Sequence, residues 1–356
     1  IHSDPEDVIH MKDTVLYREI FEQPDVLENF LSAEWENVRS SVDQLRSSFD
    51  HVMIAARGTS DNAARYAKYT LGAFNRLPVA LAAPSLFTLY KKPPRMPRTL
   101  VAAISQSGQS PDIVSVVEEA RRQDLPTLAI TDYDRSPLAA QADQVIGLHC
   151  GGEKAVCATK TYTTSLAAIA LLSAFLAGDE ERLEQIKKVP AWMKQTLKEN
   201  EDVAASAERY RYLEHCAIIG RGYNYCTAFE FALKIQELTG IVAEPYSSAD
   251  FRHGPIAMVD AGAPVLAVAP AGMIFEDMVK LAKEVHQRKG EMLIVSNDSD
   301  LLGMAQVGMT IPEDVPDWLT PLVTILPGQL FAMYLASTMG IDVDRPQGLS
   351  KVTETW

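Results

Sequence analysis

The chain repeats itself. Arg57-Gly58 recurs as Arg221-Gly222, 164 residues later, and the same offset lays Val101–Ser105 over Val265–Ala269 and Leu128–Thr131 over Met292–Val295. One frame spanning three apolar runs predicts two copies of a single folding unit rather than one continuous domain. Within the first copy, short apolar runs at 51–56, 78–83, 99–105, 127–132 and 144–149 alternate with helical stretches, one of which opens at Pro111 with proline in its first turn. The runs are apolar throughout rather than at every second position, which suits strands buried on both faces in a parallel sheet covered by helices. The reading is therefore α/β, two tandem doubly wound units, each a mainly parallel five-stranded sheet flanked by helices. Residues 46–180 form the first unit and 211–341 the second. A helical linker, 181–210, joins them, and the charged run over 179–188 together with Pro190 marks weaker packing there. Residues 1–45 are read as an extension and helices packing on the first domain, and 342–356 as a tail.

Composition narrows the function. A length of 356 residues suits two domains, and 47% hydrophobic residues supply apolar surface for two cores. With 33 Lys and Arg against 47 Asp and Glu, the net charge of -14 disfavours a general grip on nucleic-acid phosphates, so any anionic ligand has to be held locally. The cysteines Cys150, Cys157, Cys216 and Cys226 form no CxxC pair; they are expected as small buried side chains in a reducing cytoplasm, without structural zinc. No run reaches the roughly 18 to 20 continuous apolar residues of a membrane span, the nearest being 166–177, interrupted by Ser173. The first ten residues lack a signal-peptide layout and precede Met11, which is read as the natural start.

The copies differ where chemistry would sit. After its third strand the first copy has Ser105-Gln106-Ser107-Gly108-Gln109-Ser110 before Pro111, whereas the second has Ala269-Pro270-Ala271-Gly272-Met273. A hydroxyl-rich turn between a strand end and a helix amino terminus offers N–H groups, hydroxyls and the helix dipole to one anion, a phosphate cradle without a cation. A plain N-cap by Ser110 explains one hydroxyl of the three. A second loop, Arg57-Gly58-Thr59-Ser60-Asp61-Asn62, follows the first strand, and in open α/β sheets both loops can reach one pocket. A Thr-rich stretch from Ala158 to Thr164 opens a long apolar helix, and serves equally well as a helix start or as a binding element. Neither GxGxxG nor GxxxxGK[ST] occurs in these loops, so neither a dinucleotide nor ATP is expected.

The second copy holds the titratable groups. Glu230, Lys234 and Glu237 fall at i, i+4 and i+7 of one predicted helix and share a face, either as a solvated salt-bridged surface or as catalytic groups. His253 stands before Gly254-Pro255, at a break rather than inside an element.

Six motifs, RGTS at 57, SQSGQS at 105, ATKTYTT at 158, EFALKIQE at 230, FRHGP at 251 and DVDRPQGLSK at 342, resemble the sugar isomerase (SIS) domain pair of the glucosamine-6-phosphate synthases. They occur in the same order over most of residues 51–351. The resemblance is to the isomerase half; no cysteine precedes Cys150 to match the glutaminase nucleophile. The wording around 243–255 and at 349–354 is similar to stand-alone glucosamine-6-phosphate deaminases of the SIS type. What the resemblance implies is specific. Ser105, Gln106, Ser107 and Ser110 hold a sugar phosphate, with Thr59 and Ser60 in the same pocket and Val156, Thr159 and Ser350 among the substrate contacts. Glu237 is the base that moves a proton between C1 and C2, with Lys234 beside it. His253 opens the sugar ring from the partner subunit of a homodimer that shares its active sites. Lys351 forms a Schiff base with the open-chain ketose. Ala158 and Gln236 depart from the family's serine and lysine, so hydroxyl specificity is expected to differ.

The implied reaction is isomerisation and deamination of glucosamine 6-phosphate to fructose 6-phosphate and ammonia. It is a chain of proton transfers with no metal and no redox cofactor. The alternatives are ammonia-dependent synthesis in reverse, deglycation of a fructosamine 6-phosphate and, in another class, a non-catalytic sugar-phosphate sensor.

Overall fold

A computed structural model describes residues 11–46, 48–346, 348 and 351. It divides into two compact units. The first contains residues 25–153 and 160–188 with Lys351; the second contains 11–24, 154–159 and 189–346. Helix α1 (Val15–Leu45) contributes to both, the division falling after its internal Pro24, and the expected linker divides at 188/189.

In the first unit, strands β1 (His51–Ala55), β2 (Val79–Leu81), β3 (Thr99–Ile104), β4 (Thr127–Thr131) and β5 (Gln144–Gly147) pair in the order β2-β1-β3-β4-β5, every pair parallel. Helices α2 (Gly58–Asn75), α3 (Pro111–Arg122) and α4 (Lys160–Ala177) follow β1, β3 and β5. The central strands β3 and β4 are buried at every residue, as continuous apolar runs require. Ala55, Val101, Ala103, Ile113, Val117, Ala129 and Leu138 close the core between sheet and helix. The edge strand β2 keeps only three of its six predicted residues, because it pairs on one side alone.

The second unit repeats the plan with β6 (His215–Ile219), α5 (Tyr225–Thr239), β7 (Val242–Tyr246), α6 (Ser248–Arg252), β8 (Pro264–Val268), α7 (Phe275–Gln287), β9 (Glu291–Ser296), β10 (Val307–Thr310) and α8 (Pro321–Thr338). Its strand order is β10-β9-β8-β6-β7, all parallel, the same winding as the first sheet. The predicted fold is observed.

The single frame is corrected. Met53 faces Val101 and Ala217 faces Val265, an offset of 164 for both partners. Val101 then faces Thr127 whereas Val265 faces Met292, so the frame has slipped to 165 and the counterpart of Leu128 is Leu293, not Met292. The connecting helix is 12 residues long in the first copy and 13 in the second. Where both faces of a strand are buried, no polar alternation marks the register, so such a slip leaves no trace in the sequence pattern.

Among the described residues two helices, α4 and α8, are long and apolar enough to cross a membrane by length and composition, although neither holds an uninterrupted apolar run of that length. In each, 89% of the 18 residues are buried inside the protein, as in core helices.

Candidate active site

The hydroxyl loop sits between β3 and α3, beside the point where the sheet's winding reverses and ligands of doubly wound folds gather. Gly108 takes φ 60°, and a Cβ there would run into the Ser136 side chain and lie 3.1 Å from Thr131 Oγ1, so the turn needs glycine. Ser105 Oγ accepts the Gly108 N–H at 3.2 Å and Ser107 Oγ accepts the Gln109 N–H at 3.3 Å. Both oxygens accept loop N–H groups, which leaves each hydroxyl proton available for another acceptor. Ser110 occupies the N-cap position of α3, yet its side chain makes no capping hydrogen bond, so capping does not account for this third hydroxyl.

An ion pair joins this loop to the one after β1. Arg57 Nε and Nη2 each lie 2.9 Å from Asp112 Oδ2, and the Asp112 side chain, fully buried, also accepts the Ile113 N–H at 2.9 Å. Thr59 and Ser60, half-buried in the first turn of α2, are thereby held next to the start of α3. The second unit keeps the same device, Arg221 Nη1 to Asp277 Oδ2 at 2.9 Å. Burial works against the Asp277 carboxylate, but the Ser248 hydroxyl and the guanidinium groups of Arg221 and Arg252 outweigh it and hold the group below the usual range. Neither pair was read from the sequence; the signal was an Asp in the first helical turn of both copies.

On α5 the ambiguous face is resolved. Glu230 and Lys234 are buried, their side chains 0% and 1% exposed, and only Glu237 reaches solvent, at 24%. Lys234 Nζ lies 2.6 Å from Glu237 Oε2 and 3.3 Å from Glu230 Oε1. The solvated-surface reading is excluded. Burial alone would pull the lysine down, but the Glu230 and Glu237 carboxylates overcome it and leave the ammonium above its ordinary range. The stretch 154–159 belongs to the same unit, with Val156 half-buried and Thr159 fully buried. Its Cys157 is a small buried residue as expected. The thiol is pushed up to about 12 by burial, with Lys234 opposing and Glu237 reinforcing that shift.

His253 caps the carboxyl end of α6, its N–H donating to Asp250 O at 3.0 Å, and its side chain is exposed. The helix before it is anchored by Arg252, whose guanidinium contacts Asp277 at 3.1 Å and Glu284 at 3.0 Å. Among the described residues the imidazole makes no side-chain hydrogen bond or ion pair, so the structure does not join it to the α5 cluster. Lys351 is not free in solvent. Its Nζ lies 2.8 Å from Glu153 Oε2, and buried Glu153 also accepts the Thr161 N–H and hydroxyl at 3.2 and 2.9 Å at the start of α4. The partner of Lys351 is thus a buried carboxylate. Ser350 lies outside the described residues, as do residues 1–10.

Comparison with known proteins decides the family. The sequence profile described as "SIS domain" matches residues 45–174 and 213–339. The chain belongs to the SIS domain family. A relative from Aquifex aeolicus named glutamine–fructose-6-phosphate aminotransferase (isomerizing) is 34% identical over 343 residues, covering 94% of this SIS chain and 57% of the relative. The chain therefore spans just over half the length of the curated relatives it matches. The solved C-terminal domain of glucosamine-fructose-6-phosphate aminotransferase from Francisella tularensis superposes with TM-score 0.85 at 27% identity, covering 94% of this chain and 98% of that one. A glucosamine-6-phosphate deaminase from Thermotoga maritima shares the fold with TM-score 0.78 at 21% identity, covering 96% and 100%.

Proposed function

We propose that this SIS chain interconverts an aldose and a ketose phosphate and, with glucosamine 6-phosphate, carries the isomerisation through to fructose 6-phosphate and ammonia. The observation that carries the reading is the α5 cluster: one carboxylate, Glu237, open to solvent and backed by a buried ammonium whose charge is balanced by a second buried carboxylate, Glu230. A base so placed can take a carbon-bound proton and return it one carbon away, and the adjacent ammonium stabilises the charge that develops on oxygen.

The steps balance. With the ring opened, Glu237 takes the C2 proton of the aldehyde form and returns it to C1, which converts the 2-amino aldose into the imine of fructose. Water adds at C2, ammonia leaves, and the net reaction consumes one water. The hydroxyl loop of the first unit holds the 6-phosphate through Ser105, Gln106, Ser107 and Ser110, with Thr59 and Ser60 alongside. The exposed His253 supports ring opening on a neighbouring copy in a homodimer, and Lys351 is assigned to the open-chain carbonyl. Val156, Thr159 and Ser350 complete the substrate contacts.

The same groups run the reaction backward, and the names of the curated relatives favour that second reading, synthesis from fructose 6-phosphate and ammonia. A coupled assay for ammonia release across hexosamine and fructosamine 6-phosphates, together with the reverse assay using ammonium salts, tests both. Turnover of glucosamine 6-phosphate is expected; activity on no member of the panel would replace the enzyme by a sugar-phosphate sensor.

A further inference from the structure

The duplicated loop of the second unit is not empty of charge. It runs from Ala269 to Ile274 between β8 and α7, six residues like its counterpart, and Gly272 stands 164 residues after Gly108. In the first unit the side chain packed on that glycine is Ser136, a neutral hydroxyl that accepts the Ala139 N–H at 3.2 Å. In the second it is the carboxylate of Asp317: a Cβ on Gly272 would lie 2.6 Å from Oδ1 and 2.7 Å from Oδ2. The Met273 N–H donates to Asp317 Oδ2 at 3.3 Å, and the Ala271 N–H donates to Asn297 Oδ1 at 2.7 Å. In the first loop the Gly108 and Gln109 N–H groups are taken by the loop's own Ser105 and Ser107 hydroxyls, which can pass a proton on to an anion, whereas in the second the acceptors are an amide oxygen and a carboxylate from outside the loop, which cannot. Asp317 enters from the segment leading into α8, the position where the first copy has the stretch leading into α4.

We propose that Asp317 is an internal anion: its carboxylate fills the second unit's counterpart of the phosphate cradle and restricts sugar-phosphate binding to the first unit. The inference rests on the phosphate role proposed for Ser105 to Ser110 and explains why a duplicated fold has one such site per chain rather than two. Burial lifts the Asp317 carboxyl above its usual range while the Met273 N–H pulls the other way. The alternative, a brace with no relation to anion binding, predicts that its removal loosens the loop and nothing more.

The test is the number of inorganic phosphate ions bound per full-length chain, read by calorimetry for the native protein, Asp317→Ala, Ser107→Ala and the double variant. The native chain is expected to bind one phosphate. Asp317→Ala is expected to bind a second, weaker one, and to gain more thermal stability from millimolar phosphate than the native chain, because a ligand stabilises in proportion to its occupancy of the folded state. The double variant should keep that new site, which separates this inference from the first cradle. If Ser107→Ala alone has no effect while Asp317→Ala gains a site, the first assignment falls and this one stands. A folded Asp317→Ala chain with native stoichiometry and the native phosphate-dependent shift overturns the proposal. Should alanine prevent folding, Asp317→Ser refolded with and without phosphate gives the same reading: recovery improved by phosphate supports the internal anion, and equal recovery refutes it.

Discussion

Replacing Lys234 by Met keeps an unbranched side chain of similar volume in the α5 interior and removes only the charge. Glu230, fully buried and 3.3 Å from Nζ, then loses that ammonium, whereas Glu237 retains access to solvent. One stranded carboxylate therefore sets the cost, and breaking a buried pair from one side costs about 3–5 kcal/mol. For a unit of this size that is roughly 6–20 °C in Tm. The pH dependence has a definite sign. In the native chain the lysine is held above its ordinary range, so its contribution is complete below the unfolded lysine pKa of about 10.4 and is lost only as pH rises through the folded value. In Lys234→Met, protonation at acid pH removes the charge of the buried Glu230, so the variant's deficit is expected to be full at neutral pH and to shrink as pH falls. Urea unfolding of both proteins at pH 7 and pH 5, with Glu230→Gln/Lys234→Met as the compensated variant, measures it. A deficit below about 1 kcal/mol, or one that ignores pH and is not recovered by the double variant, would show that no stranded charge is involved.

Four further outcomes follow from the site. Ser107→Ala should weaken sugar-phosphate binding by about 10- to 100-fold, the worth of one hydrogen bond to a charged group, while leaving thermal stability near native; calorimetry reads the first and a melting curve the second. Glu237→Gln should lower kcat by about 100- to 10,000-fold with KM little changed, the signature of a lost proton-transfer group in steady-state kinetics. Lys351→Ala should abolish turnover and also borohydride-dependent labelling by ketose 6-phosphate, whereas retention of either removes the Schiff-base role. Mixing His253→Ala with Glu237→Gln chains should restore activity if each pocket takes its histidine from a neighbouring copy, and no restoration after confirmed subunit exchange would return His253 to its own chain.

The candidate site shows how far residue spacing carries. The i, i+4, i+7 placement of Glu230, Lys234 and Glu237 put three groups on one face, but the same spacing serves a solvated helix, and only packing made Glu230 and Lys234 inaccessible. The hydroxyls of Ser105, Ser107 and Ser110 were evident as composition, while the finding that Ser110 does not cap α3 required the geometry of its side chain. Lys351 and Glu153 are 198 residues apart, beyond the reach of any local pattern.

Fold class was determined locally. Continuous apolar runs separated by helical periods leave a parallel sheet as the arrangement that buries both strand faces, and the 164-residue repeat dictated two copies of it. What the tertiary structure alone decided is which charges are withdrawn from water and what each one meets: Asp112 by Arg57, Glu153 by Lys351, Glu230 by Lys234, and the second loop by Asp317. The one-residue slip between the copies belongs to the same class. Apolar runs specify burial without specifying register, and the partner of a buried charge is set by distances across the fold that no stretch of sequence contains.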